Sequence, residues 1–216
     1  NKIDIFSPFY YKFNLLEHFI IRDAYLDKII ENYNHSPYHS HDWNVHTNYY
    51  LKDNLPHELD WWISVQHYKK YVNEFIEHYF RGLQLDWRID GEPWYTVYGK
   101  GQKADQHEHM PCDFSAVHFI KFNPEIHEPI RFVHPELTKT KYAATFKPHL
   151  HDNLGTCSRQ SYYKEHYVPD VKEGDLIIFP SELQHLVYAN QSDELRATIA
   201  FNFSLTEFTA INCAML

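Results

Sequence analysis

The hydrophobic period of this chain changes near residue 90, and that change limits the folds open to it more than any other feature. Upstream, Trp61, Val65, Tyr68, Val72, Phe75 and Tyr79 recur at alternating steps of four and three. Such spacing lays one apolar stripe along a helix. The helix is expected over Pro56 to Phe80, with Asn54-Leu55-Pro56 as its start and Arg81-Gly82 as its stop. A less regular helical pattern covers Asn14 to Asn34, through Leu15, Leu16, Phe19, Ile20, Leu26, Ile29 and Ile30. Between them, Asn34 to Asn54 is rich in His, Asn, Ser and Asp and reads as loop with room for a short strand.

Downstream the pattern shortens. Trp94 to Tyr98, Ser115 to Phe122, Ile130 to Val133, Ser161 to Val168, Leu176 to Phe179, Leu186 to Ala189 and Leu195 to Leu205 are β-like runs separated by turn residues. Many short strands between turns predict a sandwich or small barrel. A Gly-rich phosphate loop and a regular βα alternation are both missing, which argues against nucleotide-binding α/β folds. The 216 residues suit one α+β, mainly β domain. Residues 1–90 would form mainly helical support, packed on one face of a β core formed by 91–216.

The formal net charge of -9 makes nucleic acid an unfavourable general partner. Cys112, Cys157 and Cys213 show no paired spacing, so a disulfide framework is not expected and a reducing compartment, the cytoplasm, is. No apolar run approaches about twenty residues, so no membrane span is expected. The polar Asn1 to Asp4 does not open a signal peptide.

Among 17 histidines, His107-Glu108-His109 stands out. Two histidines one residue apart on a strand point to the same side and can grip one ion together. His185 follows the apolar strand Leu176 to Phe179, where a neutral imidazole ligand is shielded from water. Three imidazoles suit Fe, Zn, Cu or Ni. Asp105, Glu108 and Asp113 are near enough to be rival ligands. The bland alternative for the pair is an exposed polar loop, as His149-Leu150-His151 is read here. For His185 it is a satisfied core histidine. Arg196 opens an alternating strand, where an inward guanidinium needs an anion. Its bland alternative is a surface ion pair with Asp193 or Glu194.

Taken in order, Trp94, Gly101, His107-x-His109, Ser115-Ala116-Val117-His118-Phe119-Ile120, Ile130-Arg131-Phe132-Val133-His134-Pro135, Pro169-x4-Gly174-Asp175-Leu176-Ile177-Ile178-Phe179-Pro180, His185-x-Val187 and Arg196 leading to Phe201-Asn202-Phe203 form one pattern. It resembles the 2-oxoglutarate/Fe(II)-dependent oxygenase superfamily, in a prolyl-hydroxylase-like subgroup common in marine bacteria and their phages. Ile5-Phe6-Ser7-Pro8-Phe9 and the Pro56 to Phe80 helix also resemble that group, so the likeness covers most of the chain.

The resemblance implies a double-stranded β-helix, or cupin-like jelly roll, with Fe(II) at its mouth and 2-oxoglutarate as co-substrate. Carried over, His107 and His185 are iron ligands. His109 falls where the superfamily usually has Asp or Glu, which gives a three-histidine face. Arg196 matches the residue that pairs with the distal carboxylate of 2-oxoglutarate, and Thr198 a hydroxyl helper on the same strand face. Tyr98 resembles a co-substrate-pocket tyrosine, and His118 replaces the usual tyrosine of the next strand, which makes it either a hydrogen-bond donor to the co-substrate or a plain core residue. The implied reaction consumes O2, releases succinate and CO2, and hydroxylates a C–H bond of a small molecule or peptide. A phage-encoded member would act inside the bacterial host. Gly101-x5-His107-x-His109-x3-Asp113 also looks like a cupin first motif, so a metal enzyme that does not use 2-oxoglutarate is one alternative. A non-catalytic jelly-roll binding module is the other. The loops 34–54 and 134–160 are expected to frame the mouth.

Overall fold

The computed structural model describes residues 9–36, 44–49, 55–80, 84–135 and 165–209. Two helices and eleven strands are described. In chain order they are β1 (Tyr11–Asn14), α1 (His18–His35), β2 (His46–Thr47), α2 (Trp62–Tyr79), β3 (Gln84–Ile89), β4 (Trp94–Tyr98) and β5 (Ala104–His107). Then come β6 (Phe114–Lys121), β7 (Ile130–Val133), β8 (His166–Tyr167), β9 (Asp175–Pro180), β10 (His185–Val187) and β11 (Arg196–Thr209).

The strands form two antiparallel sheets. The larger runs β1-β9-β6-β11-β4-β2, with β3 paired to the far end of β11. The smaller runs β5-β10-β7-β8. Period-two alternation gives the larger sheet two different faces. On β11, Ala197, Ile199, Phe201 and Phe203 join the helices in one core, together with Ala116 and Ile120 of β6. Phe119 of β6, with Ile177 and Phe179 of β9, packs instead against Ile130, Phe132 and Val187 of the smaller sheet. The helices thus cover one face and the smaller sheet the other.

The α2 stripe is displaced from the expected one. Tyr68, Tyr71, Val72, Phe75 and Ile76 are its buried apolar residues, whereas Tyr79 is 43% exposed. The helix begins at Trp62, not at Pro56, because the Asp60 carboxylate accepts from the Trp62 N–H and turns the chain there. The expected Arg81-Gly82 stop lies outside the described residues. α1 begins at His18, because Tyr11–Asn14 is drawn into the sheet beside β9. Gly174 has a φ of +88°, and a Cβ there would meet the His18 ring at 3.3 Å. Glycine therefore permits both the turn into β9 and the close seating of α1. Among the described residues, no helix is long and apolar enough to cross a membrane.

Candidate metal centre

β5 and β10 pair so that His185 stands opposite His107. β5 ends at His107, so His109 lies in the following turn and not on the strand, contrary to the expectation for the pair. Its place is set by its backbone N–H, which donates to the Ser181 carbonyl at 2.9 Å. Ligating atoms of His107, His109 and His185 all lie within 4.8 Å of one another. The ring centroids of His107 and His185 are 4.2 Å apart, and each is 5.1 Å from that of His109.

The tautomers favour ligation. Nδ1 of His107 meets the Asp105 carbonyl at 2.7 Å, and Nδ1 of His185 meets the Leu183 carbonyl at 2.9 Å. A carbonyl only accepts, so both Nδ1 atoms carry the proton and both Nε2 atoms keep the lone pair. Burial lowers all three imidazole pKa values; the neighbouring rings add to the shift of His109, to about 4, and of His185, well below 6.5, whereas Asp105 opposes that of His107. Near pH 7 the cluster is neutral, and a metal has no protons to displace.

The rival carboxylates are engaged elsewhere. Asp105 takes Lys103 Nζ at 2.7 Å, Glu108 takes the Gln184 amide at 3.3 Å, and Asp113 accepts the Leu205 N–H at 2.8 Å. None belongs to the group of side chains able to share one ion among the described residues. The candidate donor set is three neutral nitrogens.

The histidines open onto a cavity of about 290 Å³ shared with Tyr98, Arg196, Thr198 and Trp94. Arg196 pairs with Tyr98 in the β11/β4 register, and its guanidinium lies 4.4 Å from the centre of the Tyr98 ring. It is only 2% exposed, and its neighbours Phe119 and Phe122 are apolar. Burial lowers its pKa, and the adjacent Tyr98 opposes the shift. Nε and Nη1 have no hydrogen-bond partner among the described residues. Asp193 pairs with Lys100, so the surface ion pair proposed for Arg196 from that side is not made. A buried guanidinium with two orphaned donors is a costly arrangement that a carboxylate relieves bidentately.

Thr198 lines the same cavity, as expected from its place two along from Arg196. His118 does not. It lies on the helical face of β6, where Nδ1 meets the Tyr68 hydroxyl at 2.9 Å and Nε2 meets His18 at 3.1 Å. β6 alternates, and Val117 takes the cavity side instead. The co-substrate contact expected of His118 therefore fails on the parity of the strand. Asn202 is a cavity residue that carried no expected role, although the alternation that selects Thr198 extends to it. The loops expected to frame the mouth lie largely outside the described residues, and Tyr49 is the part of the first loop that reaches the cavity.

This arrangement can hold a metal on one side and a dicarboxylate's far end on the other, and the family comparison agrees. Residues 92–202, half of the chain, match the model of a family described as "Putative 2OG-Fe(II) oxygenase". The chain belongs to this family. It is a 2-oxoglutarate- and Fe(II)-dependent oxygenase, an enzyme that uses O2 and a second, oxidisable substrate. No curated protein matches it.

Solved structures share its fold, the double-stranded β-helix. A Pseudomonas putida prolyl-4-hydroxylase aligns with a TM-score of 0.54 at 12% identity, over 93% of this chain and 95% of that one. The viral collagen prolyl hydroxylase of Paramecium Bursaria Chlorella virus-1, in complex with 2-oxoglutarate, aligns at 0.53 and 12%, over 92% and 96%. HygX from Streptomyces hygroscopicus, with nickel and 2-oxoglutarate bound, aligns at 0.53 and 11%, over 94% and 85%. At such identities the likeness concerns the oxygenase's fold and leaves its substrate open.

Proposed function

We propose that His107, His109 and His185 hold the Fe(II) of this oxygenase as a neutral three-nitrogen face, and that Arg196 binds the distal carboxylate of 2-oxoglutarate. The orphaned Nε and Nη1 of buried Arg196, in the cavity that also holds the imidazole cluster, carry this reading. When bound, iron and 2-oxoglutarate supply the oxidising power, releasing succinate and CO2 and hydroxylating a C–H bond. The chain's own residues bind and orient. Tyr98 stacks on the guanidinium at 4.4 Å from its ring centre, fixing the plane in which the fork meets a carboxylate. Thr198 places a hydroxyl beside that carboxylate. Phe179 and Phe132, at 5.1 and 6.3 Å from the His185 ring, keep water from the buried side of the cluster.

The substrate class supported here is a small molecule or peptide, reaching the cavity past Tyr49 and Trp94. We further propose that residues 1–216 act as one unit, with 1–90 as helical support, and that the enzyme works in a reducing compartment such as a cytoplasm, in keeping with its cysteine pattern. Anaerobic addition of Fe(II) and then 2-oxoglutarate should bind one equivalent of each and give a visible metal-to-ligand charge-transfer band. Protein that takes up Fe(II) but shows no band and no 2-oxoglutarate binding would instead favour a cupin-type metal enzyme. Protein that retains no metal would favour a binding module.

A further inference from the structure

β11 carries a row of four residues on its cavity face, Arg196, Thr198, Ala200 and Asn202. At about 3.3 Å per residue, Asn202 lies about 20 Å along the strand from Arg196. The imidazoles stand toward its end of the row. From β10 the chain runs on past His185 to Asn190, whose side-chain amide donates to the Tyr98 carbonyl, level with Arg196. Trp94, whose ring is 5.5 Å from that of His109, pairs with Ala200. A co-substrate reaching from Arg196 to the metal therefore leaves Asn202 on the far side, where the oxidisable substrate must approach.

The Asn202 amide is held in one orientation. Its Oδ1 accepts from the Ser115 hydroxyl at 2.9 Å, directly across the β6/β11 pairing. Ser115 has one hydroxyl proton, so at its 2.8 Å contact with Ser181 it accepts and Ser181 donates. Both serines are buried. This relay consumes the carbonyl end of Asn202. Its Nδ2 has no hydrogen-bond partner among the described residues. Ser181 also carries the carbonyl that positions His109, so the metal ligand and the Asn202 amide hang from one buried joint.

We propose that Asn202 is the substrate-side hydrogen-bond donor of this enzyme, presenting Nδ2 to a neutral oxygen acceptor of the amide-carbonyl kind, with Ser115 and Ser181 as positioning residues. The inference rests on the metal and co-substrate assignment made above. A relay that fixes Oδ1 has selected a donor for the cavity, and a donor discriminates sharply between substrates that have an acceptor at that point and those that lack one.

The test uses the full chain loaded with Zn(II) in place of iron and with 2-oxoglutarate, 15N-labelled at asparagine, and N-methylacetamide as a peptide-bond probe. The side-chain amide pair of Asn202 should shift saturably on titration, while that of Asn32, buried against the His57 backbone, stays still. Asn202→Asp, which exchanges the donor for an acceptor, should remove the saturable binding. Ser115→Ala should weaken it about 3- to 10-fold, the value of one neutral hydrogen bond, and should lower the side-chain 15N order parameter of Asn202, a signature that a purely packing role would not produce. An Asn202 pair that does not move in loaded wild-type protein, or unchanged probe binding in Asn202→Asp, overturns the proposal. Failure of wild-type protein to take up 2-oxoglutarate at all, measured by calorimetry, overturns the co-substrate assignment and this proposal with it.

Discussion

His118 and Arg196 lie on neighbouring strands of one sheet, both fully enclosed, yet they face opposite ways and do opposite things. On the helical face, His118 has both ring nitrogens occupied, by Tyr68 and by His18, and His18 passes the chain on to Glu173 at 3.4 Å. Arg22 closes it at the surface, 3.5 Å from the same Glu173 oxygen. On the cavity face, Arg196 has two nitrogens with no partner among the described residues, and three histidines converge with none of the nearby carboxylates among them. Polar groups are enclosed in both regions, and burial lowers the histidine pKa values in both. The difference is satisfaction. A closed network specifies packing, whereas an open one advertises a ligand.

Arg196→Ala is the strongest way to break that contrast. Removing one partner of a buried charge pair costs about 2–5 kcal/mol, so 2-oxoglutarate affinity should fall by about 30-fold or more and coupled succinate formation should collapse. Fe(II) uptake should stay. Unaltered 2-oxoglutarate affinity would mean that the orphaned donors are not the anchor.

His118→Leu probes the closed side. It strands the Tyr68 hydroxyl and the His18 ring, and unfolding free energy should drop by about 2 kcal/mol, as expected for buried groups left unpaired. Affinity for 2-oxoglutarate should not change. A large loss of 2-oxoglutarate binding in a folded variant would return His118 to the active site.

The same histidine sets a pH slope, small over any one pH unit. Burial first, and then the charge of His18, lower the His118 pKa from 6.5 to about 3. The unfolded chain takes up that proton near pH 6.5, the folded one only near pH 3. The contribution to stability is therefore complete above pH 6.5 and is lost as the pH falls toward 3, by about 1.4 kcal/mol per pH unit for one proton. Urea midpoints measured down this range should fall less steeply in His118→Leu than in the wild type. Equal slopes would show that His118 is not the group concerned.

Much of this contrast was legible in the sequence, though unevenly. β4 and β7 fall on the expected residues, because each is a short run bounded by turn formers. β3 was not among the expected runs, and β5 was anticipated only through the His107/His109 pair at its end. Leu85-Asp86-Trp87-Arg88 and Ala104-Asp105-Gln106-His107 are as polar as loops, and they become strands only because β11 and β10 offer open backbone groups. The three histidines and Arg196 were named from their types and order, and the cavity brings them together. His118 was misplaced for a reason of parity. A single run cannot say which of its two faces meets the cavity, and Val117 and His118 are both plausible until the helices claim one side.

The sequence by itself determined the period switch near residue 90, the order of the motifs and the kinds of side chain available to chemistry. These are properties of covalent order and local spacing. Tertiary structure decided which face each side chain serves, that His109 joins the cluster from a turn, that the carboxylates nearby are already taken, and that Asn202 spends its amide oxygen on Ser115. Those outcomes depend on hydrogen bonds between residues up to 100 positions apart, as from His18 to His118. Only the folded chain sets which donors are left over.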